Sequence, residues 1–133
     1  MNCVEEDIVL FDTDILIWHL RGHKGAGEVI DRSGERMISI LTRMELIQGI
    51  GNLHHLKEVK NLFKDMDFMV LPLTPNIGNR ALFYVEEYGL SSGIEAADAL
   101  IAATAVENGL PLISGNLRHF KMIKELDLVG FKA

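Results

Sequence analysis

The sequence predicts an α/β fold in which a central, mostly parallel sheet is flanked by helices. Short apolar runs alternate with longer segments whose apolar residues recur at helical spacing. All but the last of the short runs are mostly apolar without in/out alternation, as strands buried on both faces are. The 133 residues include no linker, repeat or low-complexity tract, so we expect a single domain spanning 1–133.

The strands are predicted from these short apolar runs. The first four runs lack the in/out alternation of a half-exposed strand, and the fifth is weaker. Helical segments lie between them, so each pair of successive strands needs a crossover, and crossovers produce parallel pairing. The predicted strands are residues 8–11, 37–40, 68–71, 112–114 and 128–131.

Two helices are predicted in the middle of the chain. Thr42 followed three residues later by Glu45 is a capping-box pattern, which predicts the start of a helix. This helix should end near Gly49 or Gly51. Apolar residues at helical spacing predict the next helix within 53–66.

Two more helices are predicted in the second half. Thr74 is a good cap, and Pro75 suits the first helical position, so a helix should begin here and end at Gly89. The longest helix is predicted over 92–108, because Gly109 closes it and a proline follows.

Composition and charge restrict the class of protein. Apolar residues make up 48% of the chain, which indicates a globular protein. No apolar run reaches the roughly 20 residues of a membrane-spanning helix, and the N-terminus lacks a signal-peptide pattern. Cys3 is the single cysteine and cannot form an internal disulfide, so we expect a reducing, cytoplasmic location. The net charge of −6 argues against a basic surface that coats nucleic acid.

Four polar residues stand at the ends of apolar segments and are the candidate site. Asp12 follows the run 8–11, Glu45 follows the second run, Asp98 interrupts an Ala/Leu/Ile-rich stretch, and Asn116 follows the run 112–114. A buried carboxylate costs several kcal/mol unless a cation or hydrogen-bond donors compensate it. Three carboxylates and an amide offer hard oxygen ligands, which Mg²⁺ or Mn²⁺ prefers. Since ligands bind beyond the carboxyl ends of strands in open α/β sheets, all four could border one crevice.

Four segments in order resemble the PIN-domain ribonucleases and, within them, the VapC-like toxins of type II toxin–antitoxin pairs. The resemblance covers nearly the whole chain and implies a three-layer PIN-like fold and a metal-dependent endoribonuclease. The segments are Phe-Asp-Thr-Asp-Ile-Leu-Ile at 11–17, Thr-Arg-Met-Glu-Leu-Ile-Gln-Gly at 42–49, Ala-Asp-Ala-Leu-Ile-Ala-Ala-Thr-Ala at 97–105 and Gly-Leu-Pro-Leu-Ile-Ser-Gly-Asn-Leu-Arg-His-Phe at 109–120.

The resemblance also implies roles and partners. Asp12, Glu45 and Asp98 would form the acidic core that holds Mg²⁺ or Mn²⁺, with Asn116 completing or orienting the shell. Many relatives carry aspartate at this fourth place, so the asparagine removes one negative charge from the site. RNA is the implied substrate, a cognate antitoxin the implied partner, and a homodimer the implied assembly.

Each residue also has a simpler explanation. Asp12 could only cap the helix that follows it, Glu45 could only complete its capping box, and Asn116 could be a turn residue. Asp14 is expected to support the site or cap the helix. For His119 we favour a structural or substrate contact over a general-base role.

Two other functions remain open at this point. Asp12-Thr13-Asp14 after an apolar strand also resembles the motif of haloacid-dehalogenase-like phosphatases, in which the first aspartate attacks phosphorus. The alternative is a non-catalytic PIN scaffold that binds protein or RNA. The three intact acids argue against the scaffold.

Overall fold

The computed structural model of the protein describes residues 8–133, and Cys3 lies outside this range. None of the described helices is both long enough and apolar enough to cross a membrane. The elements of this part of the chain are, in order, β1 (Ile8–Phe11), α1 (Thr13–Leu20), α2 (Lys24–Arg32), β2 (Glu35–Ser39), α3 (Ile40–Gln48), α4 (Leu53–Met66), β3 (Met69–Leu71), α5 (Pro75–Ser92), α6 (Ala96–Glu107), β4 (Leu112–Ser114), α7 (Leu117–Phe120) and β5 (Leu128–Gly130).

The five strands form one parallel sheet with the order β3-β2-β1-β4-β5. The predicted α/β class and parallel pairing are therefore confirmed. The central strand β1 pairs with β2 on one side, where Leu10 is opposite Met37, and with β4 on the other, where Phe11 is opposite Ile113. Strands β2 and β3 therefore follow in order on one side of β1, and strands β4 and β5 follow in order on its other side.

Helices cover both faces of the sheet, which gives the expected three layers. Side chains alternate between the faces: Leu10 packs with buried residues of α5 and α6, while Val9 and Phe11 pack with residues of α1, α2 and α4. Ile101 and Ile30 are buried in the cores on the first and second faces, respectively. The position of β1 between two cores explains why residues 8–11 lack polar alternation.

The start of α3 differs from the prediction. Ser39, rather than Thr42, caps this helix, and its hydroxyl oxygen accepts a hydrogen bond from the Leu41 N–H at 3.1 Å. The helix follows β2 without a loop, so Thr42 and Glu45 both lie inside it and form no capping box. The predicted end at Gly49 is confirmed.

The boundary between α5 and α6 also differs. Helix α5 begins as predicted after Thr74 but continues through Gly89 and ends at Ser92, so its 18 residues make it longer than the 12-residue α6. Gly93 ends the helix in a left-handed conformation with φ of 74°. Only glycine adopts this conformation at little cost, so the helix breaks where the prediction had started the next one.

Candidate functional site

The site lies where the sheet reverses its order of construction. Asp12 directly follows β1, and Asn116 follows the neighbouring strand β4 by two residues. The two strand ends are joined by a hydrogen bond from the Asp12 N–H to the Ile113 carbonyl at 2.9 Å. In open α/β sheets such a reversal point leaves a crevice at the carboxyl edge, which is the usual ligand position.

Asp12 is buried at this edge with both carboxylate oxygens engaged. Oδ1 accepts the Thr13 N–H at 2.8 Å, so Asp12 does cap α1, as one of its two interpretations predicted. Oδ2 accepts the Ser114 hydroxyl at 2.7 Å. The Ser114 oxygen in turn accepts the Asn116 N–H at 2.9 Å. Ser114 therefore connects the residue that ends β1 to the turn that follows β4.

The electrostatics at Asp12 are unfavourable for a bare carboxylate. Burial, as the largest cause, and the negative charges of Asp14 and Asp98 together raise the pKa of Asp12 from 3.8 to about 7, against the lowering by its hydrogen bonds. Because such repulsion acts between carboxylates that lie near each other, the effect of Asp98 on the pKa of Asp12 indicates that both belong to one acidic cluster. A cation placed among them would reverse the effect.

Glu45 is connected to the same edge through two threonines. Its Oε1 accepts the Thr13 hydroxyl at 2.7 Å, and the Thr13 oxygen lies 2.9 Å from that of Thr42. A hydroxyl has a single hydrogen, so donation to Glu45 leaves Thr13 to accept from Thr42. Glu45 thus lies beside the residue that follows Asp12, although it is inside α3 rather than in its first turn.

Asp14 holds the opposite side of the β4 turn. Its Oδ2 accepts the Gly115 N–H at 2.9 Å, so Asp14 supports the turn after β4. A side chain at position 115 would begin only 3.0 Å from this oxygen, so the close approach requires glycine. Burial is the main cause of the raised pKa of Asp14. Its Oδ1 is the one buried side-chain polar atom within residues 8–133 that has no hydrogen-bond partner.

Asp98, His119 and Asn116 form a third group. Asp98 lies in the first turn of α6, and its Oδ2 is 2.8 Å from Nδ1 of His119. The same ring nitrogen is 2.9 Å from Nδ2 of Asn116. Both partners of the Asp98–His119 contact are about four-fifths buried, with 22% of the histidine and 21% of the aspartate side chain exposed.

The structure therefore brings the four predicted residues to one edge through three connected groups. Among residues 8–133, no three carboxylate, imidazole or thiol groups stand close enough to hold an ion as their side chains are placed. The donors nevertheless fit a divalent cation, because the negative charges of Asp14 and Asp98 act on Asp12 and the buried Oδ1 of Asp14 lacks a partner. Asp12, Glu45, Asp98 and Asn116 are the residues that would hold it.

A groove of about 360 Å³ opens beside this edge between α1, α3 and α4. Glu45 lies on its wall, and its apolar lining includes Ile17, Leu46 and Val59. The groove therefore joins an apolar surface to the acidic end of the site.

Sequence reasoning did not identify the residues that connect the acids. Thr13 and Ser114 are small polar residues next to an acid or a turn, and such residues occur in most loops. For His119 a structural or substrate contact was favoured over a general-base role, and the structure places its Nδ1 2.8 Å from Asp98. The sequence indicated only that His119 is close to Asn116, three residues away; in the structure His119 lies on the one-turn helix α7, which Asn116 precedes.

Comparison with known proteins identifies related sequences. The family model described as PIN domain matches residues 9–126. Ribonuclease VapC1 of Methanocaldococcus jannaschii is 32% identical over 124 residues, which cover 93% of this chain and 87% of that protein. Ribonuclease VapC10 of Mycobacterium tuberculosis is 36% identical over 123 residues, which cover 90% of each chain.

Solved structures show the same architecture. A chain of a toxin–antitoxin complex from Klebsiella pneumoniae superposes with a TM-score of 0.75 at 27% identity and covers 91% of this chain and 95% of its own. A chain of VapBC2 from Rickettsia felis, bound to a promoter DNA fragment, has a TM-score of 0.78 and covers 95% of this chain and all of its own length. At 18% identity the second match supports the fold alone. Since the family model spans most of the chain and the relatives match along nearly its whole length, this chain belongs to the PIN domain family.

Proposed function

We propose that this protein is a metal-dependent endoribonuclease and the toxin of a toxin–antitoxin pair. The observation that carries the proposal is Asp12, which burial first, and then repulsion from Asp14 and Asp98, makes costly to ionise. Such an arrangement is expected where a cation normally balances the charge. The relatives named Ribonuclease VapC support RNA as the substrate.

Each residue of the candidate site has a separate role in this proposal. Asp12, Glu45 and Asp98 would hold Mg²⁺ or Mn²⁺, and Asn116 would complete or orient the shell with a neutral oxygen. When bound, the cation supplies a water of lowered pKa and balances the charge that develops on the scissile phosphate. Ser114 and Thr13 keep the acids in place through the hydrogen bonds to Asp12 and Glu45. Attack on phosphorus in line with the leaving 3′ oxygen would leave 5′-phosphate and 3′-hydroxyl ends.

Cleavage of labelled RNA tests this proposal. Purified protein should cut RNA with Mg²⁺ or Mn²⁺ and should lose the activity in EDTA. Asp98→Asn keeps the shape of the side chain but removes a charge, so its rate should fall by about 100-fold or more. Asp31→Asn, which changes an exposed aspartate on α2, is the matched control and should keep the parental rate. Cleavage that survives EDTA, or a parental rate in Asp98→Asn, would refute the proposal.

The two alternatives predict different results. A phosphatase of the haloacid-dehalogenase type needs an accessible aspartate nucleophile, whereas Asp12 is only 5% exposed and has both oxygens hydrogen-bonded. A non-catalytic PIN scaffold would bind protein or RNA but cut neither RNA nor DNA under any metal condition. Beryllofluoride traps enzymes that form an aspartyl-phosphate. Since the proposed nuclease forms none, beryllofluoride should leave this protein unmodified.

The groove beside Glu45 supports the proposed antitoxin partner. An apolar segment of the antitoxin could pack against Ile17, Leu46 and Val59, and an arginine or lysine at its end could reach the acids. Such a segment would block RNA and balance the charge of the empty site. The product of a small gene next to this one should co-purify with the protein and inhibit its cleavage of RNA.

A further inference from the structure

We propose that His119 is a positioning residue that orients Asp98 and ties it to Asn116, so that the three side chains act as a unit. This inference rests on the proposed function, because it concerns how the metal-holding carboxylate is kept in place. It gives a defined role to a histidine on the one-turn helix α7, outside the acidic core.

The direction of the hydrogen bond follows from the groups present. Nδ1 of His119 is 2.8 Å from a carboxylate oxygen of Asp98, and an ionised carboxylate can only accept. Nδ1 must therefore carry its hydrogen and donate to Asp98. A nitrogen that donates cannot also accept from the Asn116 amide nitrogen, which lies 2.9 Å away.

Rotation of the Asn116 amide resolves this conflict. A half-turn about its last bond exchanges oxygen and nitrogen, so that the amide oxygen faces Nδ1–H. One N–H then serves two acceptors, the Asp98 carboxylate and the Asn116 amide. The orientation of both side chains is set by the same imidazole, and loss of the ring would release both.

The other edge of the ring faces the turn between α5 and α6, since a Cβ atom built at Gly93 would lie 3.7 Å from Nε2 of His119. Because α6 begins shortly after this turn and carries Asp98 in its first turn, one short segment borders the ring and presents its acceptor. A hydrogen-bonded neighbour of this kind commonly contributes 10- to 100-fold to the metal affinity of the ligand that it holds, to order of magnitude.

Titration with Mn²⁺, followed by the electron paramagnetic resonance signal of the free ion, tests the role. His119→Gln moves the amide one carbon further out, and His119→Ala removes the donor, so both should bind Mn²⁺ about 10- to 100-fold more weakly. His119→Asn places its amide nitrogen close to the position of Nδ1 and should stay within about threefold of the parent. His54→Ala is the control, since the His54 side chain is 78% exposed on α4.

Each outcome decides between roles. Parental affinity in His119→Gln, or equal losses in His119→Asn and His119→Gln, would overturn the inference. A ¹⁴N coupling to bound Mn²⁺ that disappears in every His119 variant would also overturn it, because the ring would then be a ligand. If the parent binds Mn²⁺ and needs it for cleavage, these results refute only the role of His119. If the parent neither binds Mn²⁺ nor needs a metal, the proposed function itself fails.

Discussion

Asp12→Asn should stabilise the metal-free protein at neutral pH and remove part of the dependence of its stability on pH. The substitution preserves the size of the side chain and an oxygen that can accept the Thr13 N–H. It removes the charge that burial and the neighbouring acids make unfavourable. Ser114 can rotate its hydroxyl to accept from the new amide, so the contact to β4 should survive.

The sign and size follow from the raised pKa. Below about pH 4, Asp12 is protonated in both the folded and the unfolded chain. Between 3.8 and about 7 the unfolded chain has lost this proton while the folded protein retains it, so the free energy of unfolding decreases as the pH rises. The decrease is complete above about pH 7, and its upper limit is about 4 kcal/mol at 1.36 kcal/mol per pKa unit.

Urea unfolding in EDTA between pH 4 and 8 measures this effect. The difference in unfolding free energy between Asp12→Asn and the parent should be close to zero at pH 4, should grow through pH 5–7 and should level off above. Asp31→Asn corrects for the loss of one exposed carboxylate, since Asp31 is exposed on α2. If the parent and Asp12→Asn have the same pH dependence, or if the variant is less stable at pH 8, Asp12 is not the strained carboxylate inferred here.

Three other predictions test the site, the fold and the assembly. Asn116→Ala should slow RNA cleavage less than Asp98→Asn does, because it removes a neutral oxygen ligand and no charge. Equal rates in Asn116→Ala and Asp98→Asn would contradict this order. Asn116→Asp should tighten Mn²⁺ binding by adding a negative charge. Tyr84→Phe should lower the free energy of unfolding by about 1–2 kcal/mol at pH 7, because the Tyr84 hydroxyl donates to Glu125 and lowers its pKa, and the loss should shrink at acidic pH where Glu125 is protonated. Light scattering at micromolar concentration should give twice the monomer mass, and a monomer would contradict the homodimer that the family resemblance implies.

A helix or strand could be predicted from the sequence where the residues that determine it are close together in the chain. The strand at 8–11 was correct to the residue, because burial on both faces leaves a continuous apolar run. The start of α3 was wrong because Ser39 lies at the end of a strand, where a cap is hard to recognise, whereas Thr42 matched a familiar pattern. The break at Gly93 was missed because both Gly89 and Gly93 could end a helix, and in the structure Gly93 is the one that adopts the left-handed conformation.

The candidate site shows the same division. Asp98 could be identified from the sequence, because a carboxylate among alanine, leucine and isoleucine needs a compensating partner. Its contact with His119 could not, because it depends on the turn at Gly93 bringing α6 against α7. Sequence spacing locates residues on elements, but contacts between elements that are distant in the chain depend on how those elements pack.

The two interpretations of Asp12, helix cap and metal ligand, are compatible in this structure and depend on each other. Each carboxylate oxygen has more than one lone-pair direction, so the bonds from Thr13 and Ser114 leave capacity for a cation. Those two bonds also fix the orientation of the carboxylate plane. The carboxylate of an aspartate without such bonds could rotate. The remaining lone pairs therefore have fixed directions, at a site where the negative charges of Asp14 and Asp98 also act on Asp12. The cap at the start of α1 is in this way part of the construction of the site, because it determines where a cation would bind.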